Sequence, residues 1–167
     1  MLPEPHVQTF LEAVRLQSAD AAFEAFAALT RATLGSRLLT ASALEIEDGK
    51  VTEGRSRRIY TDNPEVYPVG GFKPIPDNKW TDIVLRRQQV FSTLSIEEIA
   101  EVLFDWEIIR SLGCESNVNV PIIVGGQVIG TLNLLDKAGS YTAERLAPLP
   151  ELMPYAVIAF LLVTRPR

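Results

Sequence analysis

One cysteine and one histidine among 167 residues remove several chemistries at once. Cys114 has no partner for an internal disulfide, a usage that fits a reducing compartment. A His/Cys metal cluster and a Ser-His-Asp arrangement both need more than the solitary His6, which sits close to the N-terminus. No G-x-x-x-x-G-K-[ST] or G-x-G-x-x-G segment occurs, so no phosphate-cradling loop is indicated. Positive charge is also scarce. The 16 Lys and Arg are outnumbered by 21 Asp and Glu, a net charge of −5, which argues against a nucleic-acid partner. The one basic stretch, Arg55, Arg57 and Arg58, falls in an expected hairpin and reads as a solvated strand face. The most apolar run, residues 153–163, contains Pro154 and is far shorter than the ~20 residues of a membrane span. Residues 1–6 lack the basic and apolar regions of a signal peptide. Cytoplasmic location, with no membrane and no metal, is the resulting expectation.

What is present reads as one domain, residues 1–167, long enough to bury a core without a metal or disulfide staple. N-terminal helices are expected over 5–34. Pro5 opens the first, which carries Val7, Phe10, Leu11 and Val14. Ser18 caps the second, which carries Ala22, Phe23, Phe26, Leu29 and Thr33 up to Gly35. The core, 36–140, opens on strand-like runs 38–46 and 51–60 around Asp48-Gly49, a tight-turn signal. A second hairpin, 117–124 and 127–135, flanks Gly125-Gly126, and a short strand, 90–93, lies between the two. Residues 61–79 carry four prolines and no periodicity, and their aromatic neighbours favour an ordered lid. A short helix over about 78–88 follows. Ser95 to Glu98 matches a capping box, and Asp105 is placed to start a further turn. The C-terminal helix, 142–164, reads as broken, with Pro150 or Pro154 in a first turn. Grouped hairpins with helices from both ends give an α+β class. A central antiparallel sheet of about five or six strands would carry terminal helices on one face, and the lid loop and short helices on the other.

That order, with Asn117-Val118-Asn119-Val120-Pro121-Ile122, the glycine turn, and Val128-Ile129-Gly130-Thr131-Leu132-Asn133-Leu134, resembles the GAF domain family. Tyr141-Thr142-Ala143-Glu144 is similar to the start of that family's last helix. The resemblance implies a pocket between sheet and lid, and often dimerisation through the terminal helices. It leaves the chemistry open, because relatives bind cyclic nucleotides, bilins, haem or metabolites and a few are enzymes. Catalytic relatives that reduce free methionine sulfoxide need a resolving cysteine that is missing here. Bilin attachment usually shows Cys-His, whereas Glu115 follows Cys114. Asn78, Lys79, Phe104, Asp105 and Glu107 carry the letters of a cyclic-nucleotide signature without its spacing. No haem, bilin or nucleotide cofactor is therefore indicated, and Cys114 is expected to be a small buried hydrophobe.

Candidate ligand-binding residues follow from polarity on apolar strands. Asn117 and Asn119 share one face of their strand, and Thr131 and Asn133 one face of theirs. They either hydrogen-bond a ligand or satisfy one another and the loop backbone. Tyr60, Tyr67, Trp80, Phe91 and Trp106 either wall the pocket or pack as core. Asp105 either answers a cationic group or caps a helix. A pocket pairing Asp105 with Glu107 would instead point to an enzyme. The favoured function is a small-molecule sensor acting through a separate partner protein, as a homodimer that Asp at Phe160 and Leu162 should disperse. The alternatives are an interaction or scaffold domain with a vestigial pocket and, third, an enzyme.

Overall fold

The computed structural model describes residues 1–165. The chain divides into two compact units, one built from Met1–Gly35 with the chain from Ala143 onward, the other from Ser36–Thr142.

The first unit holds α1 (Glu4–Leu16), α2 (Ala19–Leu34) and α6 (Leu149–Thr164). Ser18 caps α2 by accepting from the Ala21 amide at 3.1 Å, and Gly35 ends it at φ 70°, a left-handed position where a side chain would collide with Arg145. Apolar residues at helical spacing bring five rings together. Phe10 stands 6.2 Å from Phe26 and 5.6 Å from Tyr155, and Phe23 stands 5.5 Å from Phe26 and 5.3 Å from Phe160. The C-terminal segment is broken as expected, its helix starting at Leu149 with Pro150 in the first turn, but the part before the break is not helical. Residues 143–148 form turns, because Pro148 and Pro150 offer no amide hydrogen and disfavour helical geometry in the residue before each. Phe160 is fully buried within this cluster, so it is unavailable to a second copy, contrary to the expectation above. The exposed apolar side chains of α6 are Ile158 and Leu161.

The second unit is a six-stranded, fully antiparallel sheet in the order β3-β2-β1-β6-β5-β4. Its strands are β1 (Leu38–Glu45), β2 (Arg55–Thr61), β3 (Gly70–Pro74), β4 (Phe91–Thr93), β5 (Ser116–Val124) and β6 (Gln127–Asp136). Both glycines of the β5–β6 turn take positive φ, 59° and 78°, the geometry that two-residue hairpins demand. Asp48 and Gly49 do likewise between β1 and β2, but residues 51–53 form a helical turn and β2 begins only at Arg55. β3 falls inside the stretch read as an irregular lid. All five of its residues are exposed, so no burial pattern marked it.

Three β-bulges set which side chains share a face. On β6, Ile122 pairs with Gly130 and Ile123 with Val128, leaving Ile129 extra. On β2, Ala41 pairs with Tyr60 and Ser42 with Arg58, leaving Ile59 extra. On β3, Gly71 is the extra residue between Phe72 and Gly70. An extra residue reverses the alternation of faces beyond it. One face therefore carries Thr40, Ser42, Arg58, Asn119 and Asn133, while Ala41, Tyr60, Val120 and Leu132 point the other way.

Three short helices complete this unit. α3 (Lys79–Thr81), capped by Asn78, continues into a wider turn over Asp82–Arg86 in which the Arg87 amide donates to the Asp82 carbonyl. At α4 (Ile96–Ala100), Ser95 accepts from the Glu98 amide, while the Glu98 carboxylate reaches one residue further back, to the Leu94 amide at 2.9 Å. α5 (Trp106–Ser111) closes the series. Among the described residues, no helix is long and apolar enough to cross a membrane.

Candidate functional site

The polar face of the sheet and the segments over it enclose a cavity of about 230 Å³. Its floor is a line of side chains crossing four strands. Thr93 donates to Asn117 Oδ1, Asn117 Nδ2 donates to Asn119 Oδ1 at 2.8 Å, and Asn119 Nδ2 donates to Asn133 Oδ1 at 2.7 Å. Asn133 Nδ2 then donates to Thr40 Oγ1 at 3.3 Å. The Asn117 amide also donates to Thr93 Oγ1, which anchors one end. Every amide points the same way, and no single one can turn without setting two like atoms against each other. The asparagines thus satisfy one another, which accounts for their burial, and each retains one N–H for another acceptor. Thr131 lies on the same face, two residues from Asn133, and also lines the cavity.

The roof comes from the lid and short helices. Tyr67 donates to Asp105 Oδ2 at 2.7 Å, and this contact corrects the capping role: Asp105 stands at the N-cap of α5 but makes no side-chain cap bond. Burial pushes the Tyr67 hydroxyl well above its ordinary pKa, and its hydrogen bond to Asp105 acts in the same direction. Trp80, Val102, Leu103 and Ile109 add apolar wall, and Phe104, 92% exposed, stands at the mouth.

Seven of the ten candidate residues line this cavity: Tyr67, Trp80, Asp105, Asn117, Asn119, Thr131 and Asn133. Three do not. Tyr60 faces away because of the bulge at Ile59, Phe91 is buried among Ile75, Val84, Leu85 and Val102, and Trp106 packs on the cluster around Ile99, Ile109 and Cys114. Glu107 is likewise outside it, so Asp105 and Glu107 are not paired in the cavity.

The sequence reading missed Arg58, and the basic stretch is not one solvated face. Arg55 pairs with Glu45 at 2.7 Å and stacks on Phe72, with Arg57 over the same ring, whereas Arg58 lines the cavity. Its guanidinium lies 4.9 Å from the Tyr67 ring centroid and donates through Nη1 to the Pro68 carbonyl at 3.2 Å. Burial lowers its pKa, with the Tyr67 and Asp105 charges opposing that effect.

Cys114 is buried outside the cavity lining, against Leu38, Ile96, Ile99, Ile109 and Leu135. Burial first, then the Asp136 charge, pushes its thiol from the ordinary 9.0 up to about 11. At pH 8 such a thiol carries roughly a hundredth of the usual thiolate. Native protein should therefore react with iodoacetamide at least that much more slowly than the unfolded chain; equal rates would contradict this burial. The raised pKa means the native state holds its proton longer. Its stabilising contribution is complete below pH 9 and is lost as pH rises through about 11.

With the geometry in place, the class of protein is an α+β domain with an open antiparallel sheet and a roofed cavity on one face. Solved structures place it further: the chain has a GAF-like fold. The GAF domain of a two-component sensor histidine kinase from Bacillus halodurans matches with TM-score 0.66 at 13% identity, over 86% of this chain and 93% of that one. The GAF domain of an Acinetobacter phosphoenolpyruvate-protein phosphotransferase matches with TM-score 0.66 at 11% identity, over 94% and 92%. The phycoerythrobilin-bound GAF domain of a cyanobacterial phytochrome matches with TM-score 0.66 at 14% identity, over 93% of each chain. No protein-family model matches the sequence, and no curated protein does.

Proposed function

We propose that this chain is a single cytoplasmic GAF-like sensor domain that binds a compact organic molecule over its sheet and passes occupancy to a separate partner protein. The observation that carries the reading is the cavity, with an amide-lined floor, apolar walls and an exposed phenylalanine at its mouth. Pockets that bind metabolites combine apolar walls with a few directed polar groups in this way. At about 230 Å³ the cavity falls below the roughly 300–1,000 Å³ of sites for drug-sized ligands, which favours a compact metabolite over an extended chromophore. Structural neighbours of this fold include parts of a sensor histidine kinase and of a phytochrome, which supports a sensory role.

Homodimerisation through the terminal helices belongs to the same proposal, supported by Ile158 and Leu161 on the outer side of α6. Native mass spectrometry of the purified protein, followed by denaturing extraction, tests both parts. The expected result is a dimer carrying one small molecule per chain. The double variant Ile158→Asp, Leu161→Asp should run as a folded monomer, with its melting temperature nearly unchanged. A clean apo protein that also ignores metabolites in a thermal-shift screen would turn the reading towards an interaction domain with a vestigial pocket. An unchanged mass for the double variant would remove α6 from the interface.

A further inference from the structure

The charges around the cavity are unbalanced, and the imbalance lies in the donors. Arg58 and Lys73 line it as cations, with Asp105 as the carboxylate. The Tyr67 hydroxyl already occupies an oxygen of Asp105. Among the described residues, no carboxylate stands within ion-pair distance of Arg58 or Lys73. Two buried N–H donors of the lining residues, Arg58 Nε and Trp80 Nε1, have no acceptor among the described residues. Buried donors are nearly always paired in native structures, so two unpaired ones among the lining residues leave hydrogen-bonding capacity at this cavity unused. Among the described residues, only one of the guanidinium's donors has a hydrogen-bond partner, the Pro68 carbonyl. Its Cζ lies over the Tyr67 ring, a cation–π contact that helps to position the fork.

The rest of the lining limits the acceptor's size and character. Leu38, Leu44, Val102, Leu103 and Ile109 offer an apolar surface, and Phe104 has nothing to cover it. A guanidinium fork matches a carboxylate with two parallel bonds, and the sequence has no phosphate-loop motif to accompany it. Resting on the reading of the cavity as a small-molecule site, we propose that its occupant is a small organic carboxylate. Arg58 is its anion anchor, Lys73 adds charge at the edge strand, and Phe104 folds over the apolar body. The spare N–H groups of Asn119 and Asn133 take any further acceptor on that body.

The test uses isovalerate, isocaproate and phenylacetate, each against its neutral amide and its amine of matching shape, with affinity read by calorimetry on the full chain. The acids should bind the native protein ten- to a hundredfold more tightly than their amides, the range expected of charge-assisted hydrogen bonds. Arg58→Gln should erase that preference while leaving amide binding in place, and Arg58→Lys should retain part of it. Unchanged circular dichroism and melting would show that the variants fold. Equal or tighter binding of amides or amines, or an acid preference that survives Arg58→Gln, would overturn the carboxylate assignment alone. Failure of every compound to bind would overturn both this assignment and the ligand-binding reading beneath it.

Discussion

Phe160→Asp should abolish the cooperative melting of the helical unit, with soluble folded protein falling steeply. Phe160 has 0% exposure and faces Phe23 at 5.3 Å, in contact with a ring cluster that continues through Phe26 and Phe10 to Tyr155. Removing a buried phenylalanine ring alone costs about 3–5 kcal/mol. A carboxylate in its place must also lose its hydration without a partner, or take up a proton. Whole domains are stable by only about 5–15 kcal/mol, so this one change approaches the total. Phe160→Leu, which keeps the site apolar, should be much milder. The measurement is thermal unfolding followed by circular dichroism. Melting of the Asp variant within a few degrees of the parent would mean that the ring is not packed as described. Asp at Ile158 and Leu161, one turn around the same helix, serves as the contrast, because those side chains already meet solvent.

Asn119→Ala should lower the melting temperature by roughly 5–15 °C, although it removes only a small side chain. Asn119 is the middle of the polar line, accepting from Asn117 and donating to Asn133. Truncation leaves Asn117 Nδ2 and Asn133 Oδ1 without those partners, in residues that the fold buries or half-buries. A stranded polar group of this kind costs about 1–3 kcal/mol, and two sit beside the gap. In a chain of this size each kcal/mol moves the melting point by roughly 2–4 °C. A change near zero would show that water enters the cavity and replaces both bonds. Asn119→Ala together with Asn133→Ala separates structure from recognition. If ligand affinity is unchanged while stability drops, the line is a support for the floor and not a contact.

Much of the architecture is legible in short stretches of sequence. Ser18, Asn78 and Ser95 cap helices through bonds that span only three residues. Gly125-Gly126 makes a two-residue turn because few other residues accept positive φ twice running. The apolar spacing of α1 and α2 announces one buried face on each. β3 was not legible: all five residues are exposed, and its pairing with β2 depends on a bulge at Gly71. The break in the C-terminal helix was legible in its prolines, and the structure chooses Pro150 over Pro154 for the first turn and leaves residues 143–148 as turns.

The candidate site divides along the same line. Sequence alone determined that Asn117 and Asn119 share a face, as do Thr131 and Asn133, because alternation within one strand is a local property. Tertiary structure alone decided that these two faces are the same one. The tight turn pairs Val124 with Gln127, and unbroken pairing from there would set Asn119 opposite Leu132, on the wrong side. The extra residue Ile129 shifts the register by one and brings Asn133 opposite Asn119. Ile59 does the equivalent on β2, turning Tyr60 away and Arg58 inward. Tyr67 meets Asp105 across 38 residues of chain, a contact no local pattern encodes. Single-residue bulges carry almost no sequence signal, yet each reverses every side chain beyond it, so the pocket's chemistry was settled by pairing between strands.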